Sequence, residues 1–306
     1  MNGIVIKNTG ANYLVQVGDN IYSCVASGKL RQKGFKSTNP IAIGDIVDIT
    51  IVSEKEAAIV DIHKRKTSIN RKSTNLSRTI QTMAANIDQA LFIFTHKNPK
   101  TTLVFLDRFL VVAEYNNLPV NIIINKTDIC TKDEIEEIAE IATIYNSIGY
   151  EVILASVEKK INIEKIKEIL TNKSTYVAGL SGVGKSSLIN LLIPNLNLKT
   201  AEISESHLAG KHTTTFAEMF KLPFGGNIID SPGVRAFGLT EIKKESLFHY
   251  FPEFFETSKF CKYYNCQHLN EPDCAVKIAI EENNISESRY KSYLNMMYDD
   301  NNKHRI

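Results

Sequence analysis

The stretch GLSGVGKSS at residues 179–187 combines the residue types that bind phosphate groups. Its first eight residues fit the pattern GxxxxGKS, in which glycines let backbone N–H groups approach phosphates and the lysine places a positive charge on the β- and γ-phosphates. The serine after the lysine supplies a hydroxyl to Mg²⁺, and the positive end of the following helix adds to the attraction. We therefore predict a nucleoside triphosphate site formed by Gly179, Leu180, Ser181, Gly182, Val183, Gly184, Lys185, Ser186 and Ser187.

The tetrapeptide NKTD at residues 125–128 has the residue types that read a guanine base. A carboxylate at Asp128 can accept hydrogen bonds from guanine N1–H and the exocyclic amino group, whereas adenine offers neither and would leave the carboxylate unpaired. Asn125 and Lys126 can brace the base and the phosphate loop, and Ser156, after a predicted strand, can support the other edge of the base. The prediction is a guanine site made by Asn125, Lys126, Thr127, Asp128 and Ser156.

Two further segments carry groups suited to Mg²⁺ and the γ-phosphate. In the sequence DSPG at 230–233, Asp230 can hold Mg²⁺ through water, and the Gly233 N–H can touch the γ-phosphate and report its loss. The stretch AGKHTTTF at 209–216 offers three threonines, one of which can complete the Mg²⁺ shell. We predict magnesium ligands at Ser186, Thr215 and Asp230, with Thr214 also beside the nucleotide.

The order of these motifs is rotated relative to an ordinary guanine-nucleotide switch, in which NKxD comes after the phosphate loop. Rotation leaves a parallel sheet and its pocket intact if the former termini lay close together. It changes which segment is attached to the second switch, because the chain here passes from DSPG almost directly into its C-terminal part. Our hypothesis is that the rotation connects the γ-phosphate sensor mechanically to the C-terminal part, so that a movement of the sensor is transmitted to it.

The C-terminal sequence CKYYNCQHLNEPDC contains four possible metal ligands within fourteen residues, Cys261, Cys266, His268 and Cys274. Three thiolates and one imidazole suit a closed, structural Zn²⁺ site. The alternative is a set of reduced cytosolic cysteines beside a chance histidine. Tyr263 and Tyr264, with the adjoining lysines, can contact RNA or pack on the zinc loop, and the sequence leaves both open.

The elements that must position these groups fall into three segments. Residues 3–62 show five short β-rich runs, which suggest a small barrel of the OB-fold type. Strands then alternate with helices up to the DSPG motif, which indicates a parallel α/β sheet. The rest reads as helices around the Cys/His cluster. The predicted domains are an OB-fold RNA-binding domain at 1–66, a circularly permuted P-loop GTPase domain at 67–240 and a helical zinc-binding module at 241–306.

Composition narrows the class of protein. The 306 residues are 43% hydrophobic and 23% charged, as in ordinary globular proteins, and five cysteines are too few for a disulfide scaffold. We see neither a membrane span nor a signal peptide and expect a cytoplasmic protein without membrane contact. Residues 1–75 carry eleven Lys/Arg against six Asp/Glu, and the predicted loops 27–37 and 63–78 contain no acid. Such loops suit nucleic-acid phosphates, although solvated loops are the plainer alternative.

Taken together, NKTD before GLSGVGKSS, then GKHTTT, DSPG and the Cys-Cys-His-Cys cluster resemble one family, the circularly permuted GTPases of the RsgA type that assist maturation of the small ribosomal subunit. The resemblance covers nearly the whole chain. It implies GTP hydrolysis late in 30S assembly, binding to rRNA of the small subunit, stimulation by that subunit, and Zn²⁺ and Mg²⁺ as cofactors. We expect a monomer that exchanges GTP and GDP.

The group that orients the attacking water is not fixed by the sequence. After DSPG, Val234 stands where a Ras-like switch has its glutamine, and valine cannot orient water. Many relatives look to have a histidine shortly afterwards, but this chain has Glu241 at that place. His212 is the other local candidate. Slow hydrolysis without a partner is therefore expected, with the ribosome ordering the switch or supplying the missing group.

Two other classes of function stay open from the residues alone. One is a zinc-stabilised RNA-binding adaptor for which GTP is only a ligand, and it differs from the GTPase in lacking turnover-dependent release. The other is a P-loop ATPase acting on DNA. Residues 125–128 argue against the ATPase, and GDP binding far more tightly than ADP would exclude it.

Overall fold

A computed structural model describes residues 1–10, 12–28, 30, 40–72, 80–198, 217–230, 239 and 242–299. The first five strands are β1 (Asn2–Asn8), β2 (Tyr13–Val17), β3 (Asn20–Ala26), β4 (Ile46–Ile51) and β5 (Glu56–Ile62). They pair in the order β1-β2-β3-β5-β4, and β4 pairs again with β1, which closes a barrel. Alternate side chains point inward and form a buried core that includes Val5, Val15, Cys24, Val47 and Ile59. The predicted OB-type barrel is confirmed.

A two-stranded hairpin, β6 (Ser68–Lys72) and β7 (Ile80–Ala85), comes after the barrel. The prediction of a basic loop over 63–78 is therefore wrong for residues 68–72. The hairpin packs closely on the barrel, since the Ala85 N–H donates to the Ile43 carbonyl at 2.8 Å. Gly44, with φ of +85°, lies so near that an added Cβ would stand 2.0 Å from the Ala85 carbonyl oxygen. Only glycine fits at this contact.

The central sheet contains β8 (Gln89–Thr95), β9 (Val120–Asn125), β10 (Glu151–Leu154), β11 (Ser174–Ala178), β12 (Glu218–Lys221) and β13 (Asn227–Asp230). Its order is β10-β9-β8-β11-β13-β12, and all neighbours are parallel except β12 and β13. Every residue of β8 is buried, as expected for a strand covered on both faces. On its other side β12 pairs with β1 of the barrel, where Lys7 Nζ lies 2.7 Å from Glu218 Oε2.

Four described helices cover the sheet: α1 (Leu103–Tyr115), α2 (Lys132–Ser147), α3 (Ile163–Leu170) and α4 (Lys185–Leu192). On one face, α1 and α2 pack against the sheet around Phe92 and Ile124, and on the other face α3 and α4 pack around Ile93 and Val177. Helix α2 begins with a capping box between Thr131 and Glu134. The permuted α/β domain is confirmed.

The C-terminal part is helical. A 3₁₀ turn (Lys244–Tyr250) leads into α5 (Pro252–Ser258), α6 (Ala275–Glu281) and α7 (Glu287–Met297). Phe251, Phe254 and Tyr293 fill its core, and Val111 of α1 packs into the same core. The module is thus docked on the helix that comes after β8. Within the described parts of the chain, no helix is long and apolar enough to cross a membrane.

Candidate functional site

The glycine-rich loop lies between β11 and α4, at the carboxyl edge of the sheet, where α/β sheets bind ligands. Gly179 and Gly184 have φ of +140° and +103°, which side chains with a Cβ rarely adopt. A Cβ at Gly179 would lie 2.5 Å from the Ile93 carbonyl oxygen, and one at Gly184 would lie 2.4 Å from Asn125 Nδ2. The loop therefore requires glycine both for its backbone shape and because neighbouring groups press against it.

Lys185 begins α4 and is only 7% exposed. Its ammonium donates to the carbonyl oxygens of Gly179 and Leu180, at 3.0 and 2.7 Å, so the side chain folds back across the loop. Burial lowers the pKa of Lys185 to about 8, and the negative charge of Asp230 opposes this shift. A phosphate group would offer this partly desolvated cation a stronger, charged acceptor than the two carbonyls.

The loop of the NKTD motif and the glycine-rich loop are joined directly. Asn125 is the last residue of β9 and is 3% exposed. Its amide nitrogen donates to the Val183 carbonyl at 2.8 Å, and its amide oxygen accepts from the Val157 N–H at 3.0 Å. One side chain thus ties together the loops that come after β9, β10 and β11. These three loops are far apart in the sequence, and it is the fold that brings them together.

Asp128 faces the segment after β10. Its Oδ1 accepts from Ser156 Oγ at 2.5 Å, and Ser156 Oγ accepts from the Lys159 N–H at 3.0 Å. Thr127 holds the same segment through its hydroxyl, which donates to the Ala155 carbonyl at 3.0 Å. The bond from Ser156 therefore orients the Asp128 carboxylate. Ser156 lies where the sequence predicts a support for the base.

Lys126 adopts the left-handed conformation, with φ of +65°, and burial lowers its pKa while the charge of Asp128 opposes that shift. Its ammonium donates to the carbonyl of Asn98, which lies in the loop between β8 and α1. Sequence reasoning missed Asn98, because a backbone carbonyl leaves no signal in residue type. The 96–101 loop is thereby joined to the loop that carries the NKTD motif.

Asp230 ends β13 beside β11, is 1% exposed, and stands at the same edge as Ser186 in the first turn of α4. The two predicted magnesium ligands within the described residues thus lie on neighbouring elements. The other predicted groups fall outside the described residues: His212, Thr213, Thr214, Thr215, Gly233, Val234 and Glu241.

The Cys/His cluster forms a compact four-ligand set whose donor atoms all lie within 4.8 Å of one another. His268 Nδ1 lies 3.7, 3.5 and 3.4 Å from the sulfurs of Cys261, Cys266 and Cys274, and the sulfurs of Cys261 and Cys274 are 4.0 Å apart. Ligand atoms around a tetrahedral zinc ion lie about 3.5–3.8 Å apart. The cluster can hold a metal ion, and a chance histidine would not converge in this way.

The surroundings of the cluster fix its loop. Hydroxyl groups of Tyr290 and Tyr293 donate to the carbonyls of His268 and Gln267, both at 2.8 Å. Burial lowers the pKa of His268 to about 4, so the imidazole is neutral and its Nδ1 can be a ligand. Burial also raises the pKa of Cys266 to about 12, so a thiolate there needs a nearby cation. This donor chemistry fits a metal ion with high affinity for sulfur.

Comparison with known proteins agrees with this architecture. A family model described as "RsgA GTPase" matches residues 62–240, and one described as "RsgA N-terminal domain" matches residues 2–59. "Small ribosomal subunit biogenesis GTPase RsgA" from Bacteroides fragilis is 47% identical over 98% of this chain and 97% of its own length. The protein of that name from Christiangramia forsetii is 44% identical over 100% of this chain and 98% of its own length.

Two solved structures share the whole arrangement. YjeQ from Thermotoga maritima superposes with a TM-score of 0.78 at 34% identity and covers 97% of both chains. YloQ, described as a circularly permuted GTPase, gives a TM-score of 0.72 at 31% identity and covers 97% of this chain and 93% of its own. With a barrel, a permuted nucleotide site and a Cys/His module in one chain, the protein belongs to the RsgA GTPase family and is a GTP hydrolase.

Proposed function

We propose that this GTPase acts in late maturation of the small (30S) ribosomal subunit, where it binds rRNA and hydrolyses GTP under stimulation by the subunit to drive its own release or a checkpoint. The observation that supports the proposal is the bond from Asn125 to Val183, which joins the NKTD loop to the glycine-rich loop. The curated relatives, named for small ribosomal subunit biogenesis and matching almost end to end, support the target.

In the proposed complex, Asp128 reads guanine, Lys126 and Ser156 support it, and residues 179–187 hold the phosphates. Lys185 moves from the loop carbonyls to the β- and γ-phosphates. Mg²⁺ is held by Ser186 and Asp230 with Thr215, and Thr214 and Gly233 contact the nucleotide. The Cys/His cluster takes Zn²⁺ in a structural role, since all four ligand positions are filled by protein groups. The domains are 1–66, 67–240 and 241–306.

The proposed partner is the 30S subunit and its rRNA. Tyr264 of the Cys/His module is fully exposed and Phe260 is 80% exposed, so neither ring packs on the loop. Lys262 Nζ lies 5.7 Å from the centre of the Tyr263 ring. Exposed rings beside lysines suit the stacking of unpaired bases. We propose that the protein is a cytoplasmic monomer.

GTP turnover by the purified protein tests the function, measured alone, with small subunits and with large subunits. We expect marked stimulation by small subunits and none by large ones. Equal rates in the three mixtures would break the link between this GTPase and the small subunit, and no turnover in any mixture would favour the zinc-stabilised RNA adaptor. The matched control is Lys185→Ala, which removes the phosphate-binding charge and should abolish turnover in every mixture.

A further inference from the structure

A buried ion cluster joins the C-terminal module to the GTPase domain. Arg289 of α7 is 1% exposed and donates from Nη1 to Asp107 Oδ1 of α1 at 2.5 Å. Its Nε and Nη2 donate to the two carboxylate oxygens of Glu253 in α5, at 2.7 and 3.2 Å. The Tyr145 hydroxyl of α2 donates to Asp107 Oδ1 at 2.7 Å. Four helices from both parts of the chain therefore meet at one guanidinium.

The cluster depends on the positive charge of Arg289. Burial alone would lower the pKa of Arg289, but the carboxylates of Asp107 and Glu253 raise it overall, so the guanidinium stays charged. Its plane also lies 4.5 Å from the centre of the Phe251 ring. Removing the guanidinium would leave the fully buried Asp107 carboxylate without its cation, which is far more costly than never burying the pair.

The two GTPase helices in this cluster lead into the base-reading loops. Helix α1 is preceded by the 96–101 loop, whose Asn98 carbonyl receives the Lys126 ammonium. Helix α2 begins just after the turn that carries Asp128. A salt bridge from Lys97 to Glu134 joins that loop to the start of α2. The bond between Asp107 and Tyr145 joins the bodies of the same two helices.

We propose that Arg289 is a positioning residue for the guanine site: by fixing Asp107, it sets the relation of α1 to α2 and so the placement of Lys126 and Asp128 against the base. The inference rests on the proposed base contacts of Lys126 and Asp128. It makes the folding of the Cys/His module a condition for base recognition, although the module contributes no group to the base.

A purely structural role for Arg289 predicts a different result. Loss of packing would lower the fraction of binding-competent protein, and the apparent dissociation constant of every nucleotide would rise by the same factor, because each intrinsic constant is divided by that fraction. A change in the placement of Asp128 alters the discrimination between bases instead. Inosine diphosphate lacks the exocyclic amino group of guanine but is otherwise the same ligand. The ratio of the IDP and GDP dissociation constants therefore separates the two roles.

The experiment measures Kd for GDP and IDP by calorimetry on the full chain, for the natural sequence and for Arg289→Met. Loss of one hydrogen bond to a charged group makes IDP bind about tenfold more weakly than GDP in the natural protein. In Arg289→Met we expect that ratio to fall by at least about threefold. Arg289→Lys, which keeps the charge but not the planar double contact, should show a smaller fall and guards against loss of folding.

Arg108→Met is the matched control. Arg108 also joins α1 to the C-terminal module, since its Nη2 donates to Asn295 of α7 and to Asp299 just after that helix rather than to Asp107. Its ratio should stay at the natural value. Equal weakening of GDP and IDP in Arg289→Met and Arg289→Lys would overturn the positioning role. A natural protein that binds IDP as tightly as GDP would instead overturn the proposed base contacts, whatever the Arg289 variants do.

Discussion

The Asn125 amide donates to the carbonyl of Val183, 58 residues further along the chain, and an added Cβ at the adjoining Gly184 would collide with the same amide. The NKTD motif, which precedes the phosphate loop in the sequence, thus packs directly against that loop in the structure. The permuted order has no effect on this contact, because the carboxyl ends of β9 and β11 lie at the same edge of the sheet. The contact itself can be tested.

Asn125→Ala removes two buried hydrogen bonds and leaves the Val183 carbonyl and the Val157 N–H without that partner. Since an unsatisfied buried group costs about 1–3 kcal/mol, GDP affinity should fall by about tenfold or more. Calorimetric titration with GDP measures it. Asn121→Ala is the control, since Asn121 lies at the other end of β9 and its side-chain amide donates to Gln89 Oε1, away from the glycine-rich loop. Similar losses in both variants would show that the effect is general destabilisation.

Asp128→Asn should abolish the preference for guanine. The side chain of asparagine has one accepting oxygen and one donating NH₂ group in place of two accepting oxygens. It therefore cannot accept hydrogen bonds from both N1–H and the exocyclic amino group of guanine. Competition of GDP and ADP against a labelled nucleotide measures the preference, and we expect the advantage of GDP to fall by about 100-fold. An intact guanine preference in this variant would mean that another group reads the base.

Binding of nucleotide should be coupled to proton uptake near pH 8. Burial holds the pKa of Lys185 at about 8 in the free protein, so about half of the side chains are neutral at that pH. Phosphate oxygens stabilise the charged form and raise the pKa, so GDP binding at pH 8 should take up about half a proton. Calorimetry in two buffers with different ionisation enthalpies measures this, because the observed heat then depends on the buffer.

The lowered pKa of Lys185 also gives the stability of the free protein a contribution that depends on pH. Between pH 8 and the ordinary pKa of lysine, 10.5, the unfolded chain binds more protons than the folded one, so the free energy of unfolding gains up to about 3 kcal/mol from this group as the pH rises. Lys185→Met lacks this gain. Parallel stability curves for the two proteins, together with buffer-independent binding heats, would contradict the shifted pKa.

Much of this site can be predicted from the sequence for clear physical reasons. The phosphate loop needs Gly179 and Gly184 at positive φ, so the glycines in its sequence predict its backbone conformation. Strand β9 carries the consecutive isoleucines 122–124, which are buried on both faces of the sheet, and such a run indicates a parallel strand from its residue types alone. The start of α2 is set by the side chains of Thr131 and Glu134, which cap it locally. In each case the determinant lies within a few residues.

The parts that could not be predicted depend on contacts between distant residues. The strand at 68–72 has no apolar alternation and forms by pairing with β7. Asp107 and Arg289 look like surface charges on amphipathic helices, and only the docking of the module, 182 residues later in the chain, buries them together. A single sequence records residue types and spacing but not which distant faces meet.

Removal of metal should unfold the C-terminal module. Cys274→Ser removes one of four ligands, and we expect loss of bound zinc and a lower Tm, because structural zinc contributes directly to folding. Metal analysis and circular dichroism during heating measure both. Cys130→Ser is the control, since Cys130 lies outside the cluster and should keep one zinc ion per chain. A region 261–274 that stays folded after chelation would refute a structural metal.

A substitution at Leu239 tests the hypothesis that the γ-phosphate sensor is mechanically connected to the C-terminal module. Leu239 packs against both the core of the GTPase domain and the core of the C-terminal module, nine residues after Asp230 ends β13. Asp230 is thus held in the sheet and Leu239 lies at the seam between the two cores, and Gly233 stands between these two residues in the sequence. Leu239→Ala removes apolar contacts on both sides of that seam. Turnover of the protein alone should change little, whereas stimulation by small ribosomal subunits should fall by about fivefold or more.

Ile169→Ala is the matched control, because Ile169 is also partly buried but packs on the opposite face of the sheet, in the core around α3 and α4. Both variants should lose similar stability, about 1–3 kcal/mol, which thermal unfolding measures. If stimulation falls equally in the two, the loss reflects stability rather than a mechanical connection through Leu239. If it falls in neither, the permuted order carries no signal from the nucleotide to the module by this route, and the docking of the module on α1 becomes the alternative connection.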